Sequence, residues 1–507
     1  MKDADTMVLP RLASAEVSVE DPWGEGRGAP ASAPGRPAAG TARWRSVAWL
    51  VPALLMGALS VVGAGAPGLR TEELATWAAA RSSWRDNWSM LHSGDATAAP
   101  YHLLMRAWAE AFGTSDLALR APSMLAMTGA AALVGVLAAR MFAPATGVLA
   151  GVIFALLPTS TRYAQEAQPY ALTMLAAVLA TWLLLSAIDG PWFWRFARYA
   201  GAVVLLGLCN VVALLLLAGH GWAVFAFRRG RTLRWLAAAA MGALPAAGLL
   251  WLAAPHGAQL ARSAHPSLPM LAAAPRELFG VAALGAVLLV LALFSLPLRY
   301  SAALCTAWAV VPPLALLLIA QVAPVWLPQY LLFTLPAWAI LGAAALSRAR
   351  LGWAAGVLAA IAVIGAPAQL ALREPDGHQQ ASRRLAAVIE HRLQANDGVV
   401  YSAADPGDGR VGRNLVAHYL PADRRPRDVL GPQGVDGRQP AARCTDVAGC
   451  LRGTRRLWVI RLGARTDPVQ GIGGATEQLL RTRYQVAQVW RPTGLTLALL
   501  VNERTDL

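Results

Sequence analysis

Long apolar runs are the feature of this sequence that most constrains its fold. Many of them reach the roughly 20 residues that a helix needs to cross a hydrocarbon layer of about 30 Å. Because 56% of the 507 residues are hydrophobic and only 14% are charged, a single soluble core would leave large apolar patches exposed to water. The chain is therefore predicted to cross a membrane many times.

About eleven spans are predicted, with the N-terminus in the cytoplasm and the C-terminus outside it. They cover residues 46–65, 120–139, 145–158, 169–187, 196–208, 211–227, 233–254, 277–296, 301–320, 330–346 and 352–366. With eleven spans, arginines collect at the predicted cytoplasmic ends, as the positive-inside rule requires: Arg140, Arg195, Arg198, Arg228, Arg229, Arg231, Arg234, Arg299, Arg348 and Arg350. If 196–208 and 211–227 formed one helix, the count would be ten and this bias would be lost.

Three further regions flank or interrupt these spans. Residues 1–45 are rich in Ala, Pro and Gly without apolar periodicity and are predicted to be a disordered cytoplasmic tail. Residues 66–119 form the first outer loop of the transmembrane domain 46–370, with an interfacial helix at 101–112. Residues 371–507 show a helical pattern followed by strand-like runs at 399–403, 457–461, 485–490 and 495–501, which predicts a small extracytoplasmic α/β domain.

The formal net charge of +15 does not indicate a nucleic-acid partner. The basic residues are scattered over loops and the tail and are not gathered on one face. Lys2 is the only lysine, so nearly all of this charge is arginine, and a single arginine carries little functional information.

The four cysteines fall into two groups. Cys209 and Cys305 lie in apolar runs, as small core residues do. Cys444 and Cys450 lie in the polar C-terminal region and are a candidate disulfide if that region is outside the cytoplasm. Two unpaired thiols are the alternative.

An acidic pair opens the first outer loop, in the segment TEELATW. Glu72 and Glu73 have two interpretations of equal weight from the residues alone. They could be the acidic first turn of a helix, which the helix dipole favours. They could also include a general base at a site where a lipid head group meets an acceptor.

A second polar segment, GDATAAPYHLL, follows later in the same loop. Asp95, Tyr101 and His102 could contact a phosphate or a metal ion. A single histidine beside an aromatic residue is more often an ordinary interfacial residue, so the ligand role is the weaker interpretation.

The third segment, RYAQEAQPYAL, covers 162–172 in a predicted outer turn. Its charged and polar side chains are costly at the membrane unless they line a hydrated cavity, which favours a functional role for Glu166. An ion pair of Glu166 with Arg162 at helical spacing is the structural alternative.

Together these segments resemble the bacterial members of glycosyltransferase family 39, relatives of protein O-mannosyltransferases and of the lipid A aminoarabinose transferase. The family's Asp-Glu-x-x-Thr corresponds to 72–76, its Ala-Pro-Tyr element to 99–101, and its Arg-Tyr-x-Gln-Glu-Ala-Arg-Pro-Tyr-x-Leu to 162–172. LPQYLLFTLP at 327–336 resembles the family's late Arg-Tyr-Leu segment. The resemblance covers about residues 45 to 370, and the 162–172 motif is its most specific part.

The resemblance implies an all-α polytopic membrane domain of GT-C type with a C-terminal α/β domain, in a bacterial plasma membrane. It implies transfer of a mannose- or arabinose-like sugar, with inversion, from a polyprenyl-phosphate donor to an extracytoplasmic acceptor hydroxyl. Glu72 is expected to be the base, and Glu73 and Glu166 to orient it or to hold a divalent metal ion. The expected donor contacts are Asp95, Tyr101, His102, Arg162, Glu166, Gln168, Tyr170, Gln329 and Tyr330.

Three positions depart from the family pattern. Glu72 stands where the family has aspartate, and Gln168 and Gln329 stand where it has arginine. Since a departing phosphate is best stabilised by cations, the alternative function is a catalytically degenerate relative, or a transporter or binder of lipid-linked sugars. A transporter would more often show internal repeats and interrupted helices with polar residues at mid-membrane. The sequence shows neither, since its polar clusters lie at the outer ends of the predicted spans.

Overall fold

The structure, a computed structural model, describes residues 39–190, 192–256, 266–295, 300–402, 406–431, 444 and 446–502. Trp44–Leu507 forms one compact unit. Most of the tail predicted to be disordered, and Arg299, lie outside the described residues.

The first part of the chain is helical. Its helices are α1 (Ala39–Val61), α2 (Thr71–Arg81), α3 (Trp84–Ser89), α4 (Ala99–Phe112), α5 (Asp116–Met141), α6 (Pro144–Leu156), α7 (Pro158–Ala164), α8 (Tyr170–Ile188), α9 (Phe193–Cys209), α10 (Leu216–Phe227), α11 (Thr232–Ala253), α12 (Leu268–Phe279), α13 (Ala282–Leu293), α14 (Tyr300–Val322), α15 (Leu335–Leu346) and α16 (Leu351–Ala371). Each of the eleven predicted spans falls on one or more of these helices. The interfacial helix predicted at 101–112 is α4.

Helix length and composition identify fewer candidate crossings than the eleven that the sequence predicts. Within the described ranges, six helices are long and apolar enough to cross a membrane, and two bent pairs, α6 with α7 and α12 with α13, raise this number to eight. Ser46–Val61 and Val211–Phe227 are shorter apolar helices. The chain is a multi-pass membrane protein, but a count of eleven is not confirmed.

Local sequence explains the interruptions. Pro158 begins α7 and holds Leu157 in an extended conformation, so that α6 and α7 meet at 68°. Gly280, with φ of +80°, breaks α12 from α13, which meet at 81°. The apolar pattern predicted neither bend, because α7 begins only at the last residue of the predicted span 145–158 and α12 lies almost wholly before the predicted span 277–296.

The transmembrane core lies among α5, α6, α8 and α15, which bury Val134, Phe154, Met174 and Ile340. The helices approach closely where small residues face each other: a Cβ on Gly135 would clash with the Ala48 carbonyl oxygen. Large apolar side chains on the outside of the bundle are exposed, as expected for surfaces that face lipid: Leu233, Met241, Trp251, Leu318, Leu351 and Trp353.

The C-terminal region forms a mixed five-stranded sheet in the order β2-β1-β3-β5-β4. Its elements are α17 (Ser382–Arg392), β1 (Gly398–Tyr401), α18 (Pro406–Tyr419), β2 (Arg427–Asp428), α19 (Val447–Cys450), β3 (Arg456–Leu462), α20 (Gly474–Arg483), β4 (Gln485–Trp490) and β5 (Leu495–Val501). β1 pairs in parallel with β2 and β3, and β5 pairs antiparallel with β3 and β4. Cys444 and Cys450 are joined in a disulfide.

This α/β domain packs directly on the first outer loop. One hydrophobic cluster contains Leu74 and Trp77 of α2 together with Leu415 of α18 and Trp458 of β3. The domain and α2 therefore lie on the same side of the membrane.

Candidate active site

The acidic pair lies in the first turn of α2, and its two carboxylates have different surroundings. Glu72 is 53% exposed, whereas Glu73 is fully buried. Adjacent helical residues point about 100° apart, so one carboxylate can face a cavity while the other faces the protein. The pair thus forms the acidic first turn of a helix, as the first interpretation predicts, and Glu72 has the exposure that the second interpretation, a general base, requires.

Glu73 holds the start of α2 against the bundle. Its two oxygens accept hydrogen bonds from Arg120 Nε and an Arg120 terminal nitrogen, both at 2.8 Å. It also accepts from the backbone nitrogens of Arg70, at 3.1 Å, and Ala167, at 2.9 Å. Arg120 is itself buried and donates to three backbone carbonyls just before α2. Glu73 therefore fixes α2 relative to α5 and to the turn that contains Ala167.

Glu166 lies in that turn, between two guanidinium groups. Its Oε1 is 3.3 Å from Arg70 and 3.0 Å from Arg162, and its Oε2 accepts from Gln168 Nε2 at 3.1 Å. Burial by itself raises the pKa of Glu166, but the attraction of Arg162 and Arg70 outweighs burial and lowers this pKa to about 2. Glu166 is therefore an anion at neutral pH, and its oxygens are already engaged.

A cavity of about 500 Å³ opens beside these clusters. Six residues predicted from sequence line it together: Glu72, Tyr101, His102, Gln168, Tyr170 and Tyr330. Their neighbours in the sequence complete part of the wall, and further parts come from the break between α9 and α10, where Asn210 is extended, from Leu250 of α11, and from Pro324 and Val325 after α14. Five regions that are separated in the sequence (72–102, 168–170, 209–212, 250 and 324–330) thus meet at one cavity.

The other predicted residues stand behind the wall or apart from it. Glu73, Arg162 and Glu166 contact the segments that carry lining residues but are not part of the lining. Asp95 is half-buried near His102, and Gln329 lies in the 3₁₀ turn Pro328–Thr334, beside the lining residue Tyr330.

His102 keeps one ring nitrogen available. Burial lowers the pKa of His102, and the nearby charge of Asp95 offsets this only in part. Nδ1 is buried without a hydrogen-bond partner among the described residues. A neutral imidazole with one unpaired nitrogen is suited to hydrogen bonding with a bound ligand.

Sequence reasoning missed Arg70 and His378. Arg70 Nε is 3.8 Å from Glu72 Oε2 and makes no hydrogen bond to any described residue. Arg70 lies two residues before Glu72. That position was the available signal, but with so many arginines in the sequence it did not stand out. His378 is fully buried near Glu166 and Glu73, and neither ring nitrogen has a partner in the described part of the chain. No local motif marks it.

The two carboxylates named for a metal ion do not fit one in this arrangement. Guanidinium groups already occupy Glu73 and Glu166, and a cation added there would meet Arg120 or the pair Arg70 and Arg162. Among the residues described, no three His, Cys, Asp or Glu side chains form a group that could hold a metal ion.

The helical bundle, the cavity and the docked α/β domain together define a polytopic membrane protein with the GT-C type of fold. Two crystal structures of ArnT from Cupriavidus metallidurans share this fold. The apo structure has a TM-score of 0.55 at 13% identity and covers 90% of this chain and 98% of ArnT. The structure bound to undecaprenyl phosphate has a TM-score of 0.51 at 12% identity and covers 79% and 87%.

At this identity the two structures establish the fold and nothing finer. The sequence itself matches no protein-family model and no curated protein. The GT-C fold expected from the motifs is confirmed, and the activity has to be argued from the site.

Proposed function

We propose that this protein is a membrane glycosyltransferase that moves a sugar from a polyprenyl-phosphate donor to an acceptor hydroxyl. One observation carries the proposal: among the described residues that line the cavity, Glu72 is the one carboxylate, and it stands beside Arg70. A second supports it: one of the proteins with this fold, ArnT, was crystallised with undecaprenyl phosphate.

Glu72 acts as the general base. The acceptor oxygen attacks the anomeric carbon of the donor while its proton passes to a Glu72 oxygen. The bond between the anomeric carbon and the phosphate oxygen breaks in the same step, and its electron pair leaves with the polyprenyl phosphate. Attack opposite the leaving group inverts the configuration.

Arg70 and Arg162 stabilise the phosphate as it gains charge. Glu166 balances one of these two guanidinium groups, and Glu72, while ionised, balances the other. When Glu72 takes the acceptor proton, one positive charge is left uncompensated as the phosphate becomes more negative. The net positive charge of the two guanidinium groups and their carboxylates is therefore greatest in the transition state, and stabilisation of the transition state is what accelerates a reaction.

Arg70 offers a positive charge in place of the two family arginines that are glutamines in this sequence. Gln168 Nε2 donates to Glu166, so it helps to hold the carboxylate between the two guanidinium groups and supplies no charge. Arg70, whose Nε has no hydrogen-bond partner among the described groups, supplies the missing charge.

The remaining assignments follow the family resemblance. The sugar is mannose- or arabinose-like, Tyr101, His102, Tyr170, Gln329 and Tyr330 contact the donor, and Asp95 supports His102. Glu73 positions the base through α2. The cavity lies on the extracytoplasmic side of a bacterial plasma membrane, with the N-terminus inside. The mechanism uses no metal ion, and transfer should therefore persist in EDTA.

The test is transfer by the full-length protein in membrane vesicles, with a panel of polyprenyl-phosphate sugars. Glu72→Gln should abolish transfer while expression and melting temperature stay unchanged. The matched control is Glu374→Gln, which neutralises an exposed carboxylate outside the cavity lining. Full activity of Glu72→Gln on the donor that the wild type uses would rule out its role as the base.

The bent helix pairs favour one alternative, a transporter or binder of lipid-linked sugars, because interrupted helices are common in transporters. The same vesicles distinguish the two. If the wild type consumes no donor in the panel but binds one or moves it across the bilayer, the transferase proposal fails and the alternative replaces it.

A further inference from the structure

A second polar pocket lies at the far end of the bundle from the cavity. It encloses about 300 Å³ where α5 and α8 end and α9 begins. Its lining consists of Arg140, Trp182, Leu183, Ser186, Arg195 and Arg198. Nothing in the proposed transfer reaction uses these residues.

The helices themselves set the distance between the two sites. Tyr170, the first residue of α8, lines the cavity, whereas Trp182, Leu183 and Ser186 near its other end line the pocket. The 19 residues of α8 span about 28 Å at 1.5 Å per residue, close to the thickness of a hydrocarbon core. The pocket therefore opens at the opposite membrane face.

The pocket carries more positive charge than its surroundings neutralise. Arg140 pairs with Asp189 and donates to Ser186 Oγ. Arg195 donates to the Ser186 carbonyl at 2.9 Å but pairs with no carboxylate in the described structure. Arg198 is exposed and makes neither a hydrogen bond nor an ion pair with any residue that the structure describes. Two guanidinium groups are thus left to meet an anion.

Aromatic side chains place the pocket at the level of lipid head groups. Trp192, Phe193 and Trp194 precede Arg195 and are 68%, 75% and 68% exposed. Exposed tryptophans in membrane proteins concentrate at the boundary between hydrocarbon and water. Trp182 and Leu183 also give the pocket an apolar wall, which a soluble phosphate would not need.

We propose that this pocket binds the phosphodiester of an anionic glycerophospholipid from the leaflet opposite the cavity. Arg195 and Arg198 contact the phosphate, Arg140 and Ser186 border it, and the acyl chains run along Trp182 and Leu183. Basic pockets between transmembrane helices bind the head groups of anionic lipids. The inference does not depend on the proposed transferase activity.

The test is lipid binding to the purified full-length protein in neutral detergent, measured by native mass spectrometry and by thermal stabilisation. Phosphatidylglycerol should bind and stabilise, whereas phosphatidylcholine with the same acyl chains should do so far less. Inorganic phosphate and glycerol 3-phosphate form the soluble arm, and both should bind more weakly than phosphatidylglycerol.

Arg198→Gln should weaken phosphatidylglycerol binding by about fivefold, the effect of one basic residue at an anionic surface. The double variant with Arg195→Gln should weaken it further. Since Arg195 also supports the end of α8, the single variant keeps the test interpretable if the double variant is unstable. The matched control, Arg348→Gln with Arg350→Gln, removes two exposed arginines outside this pocket.

Three results would overturn the proposal. Equal stabilisation by phosphatidylcholine would show that the pocket does not select negative charge. An equal loss of phosphatidylglycerol binding in the control double variant would show that the pocket arginines act only through the total positive charge on this side of the protein. Binding of a soluble phosphate as tight as that of phosphatidylglycerol would assign the pocket to a free anion.

Discussion

Two neighbouring glutamates show how strongly surroundings set the role of a residue. Glu72 and Glu73 are chemically identical and adjacent, yet one lines a cavity and the other is buried against Arg120. The exposed carboxylate can exchange a proton with a ligand. The buried one is part of an ion pair whose loss would leave a charge unpaired in the protein interior.

Glu73→Gln is therefore expected to act on folding. The substitution leaves the Arg120 guanidinium buried without its carboxylate, a loss of about 3–5 kcal/mol for a broken buried pair. We expect a lower melting temperature in detergent and less protein in the membrane, whereas Glu72→Gln should match the wild type in both. A Glu73→Gln protein that melts like the wild type would show that Arg120 finds other partners.

His378 should make the protein sensitive to mild acid. Burial lowers the pKa of His378 to about 4, against 6.5 for the exposed side chain, and the attraction of Glu166 offsets this only in part. Between these two pKa values, this histidine is protonated in the unfolded chain and neutral in the folded chain. Stability is unaffected above pH 6.5 and falls between pH 6.5 and 4, by up to about 3 kcal/mol for this group.

Melting temperatures between pH 7 and 4 test this expectation, with His378→Phe as the variant. Because neither ring nitrogen has a hydrogen-bond partner in the described structure, phenylalanine should lose no polar contact and should flatten the decline. His391→Phe, at an exposed position on α17, is the control and should leave the decline unchanged. An equal decline in His378→Phe would mean that other groups cause it.

At the scale of elements, the segment 378–382 braces the start of α2. Gln380 Oε1 accepts from the Thr71 backbone nitrogen at 3.0 Å and from Thr71 Oγ1 at 2.8 Å. Ser382 Oγ donates to the Leu69 carbonyl at 2.6 Å and accepts from Gln380 Nε2 at 2.9 Å. A segment more than 300 residues away in the sequence thus caps the helix that carries Glu72.

Gln380→Ala should lower kcat of sugar transfer by about tenfold to a hundredfold, since a small misplacement of a catalytic group is enough for that. The KM for donor should change much less, because Gln380 is not part of the cavity lining. Steady-state transfer kinetics provide the measurement, and Gln478→Ala at an exposed position on α20 is the control. A change confined to KM would contradict the bracing role.

Apolar periodicity was enough to place the helices of the bundle and most strands of the C-terminal sheet. It predicted α4 in the first outer loop but did not reveal α3, and it left the helix start at α2 as one of two interpretations. It also did not reveal α18, because the sequence of that helix begins PGDGR, which is typical of a turn. α18 forms because Val411, Leu415 and Val416 bury one face against the sheet and α2. The bracing by Gln380 and the burial of His378 are long-range contacts that no local pattern encodes.

At the scale of the whole molecule, the docked α/β domain is held to the membrane domain by a polar network. Asp116, the first residue of α5, contacts His418 at 2.6 Å, Arg383 at 2.7 Å and the Tyr419 hydroxyl at 3.1 Å. Tyr419 also accepts from the Leu69 backbone nitrogen at 2.6 Å. These contacts and the shared hydrophobic cluster tie the domain to both ends of the first outer loop.

This docking limits the topology. The chain leaves α1, forms α2, and later reaches the domain that packs on α2, so it must cross the membrane an even number of times between them. Eight crossings from the long helices and bent pairs satisfy this rule, and ten crossings, with α9 and α10 added, satisfy it as well. Nine, the result of fusing α9 and α10 into one span, does not.

With α1 included, the total is odd, so the two ends of the chain should lie on opposite sides of the membrane. The arginine distribution predicts that the N-terminus is inside. A fluorescent protein that matures only in the cytoplasm should therefore be fluorescent when fused before α1 and not fluorescent when fused after β5. Alkaline phosphatase fused after β5 should be active. Fluorescence at both ends would mean an even total, which is incompatible with the packing of Trp77 against His418. Because that contact joins α2 to α18, the same result would also contradict the bracing of α2 and with it the placement proposed for Glu72.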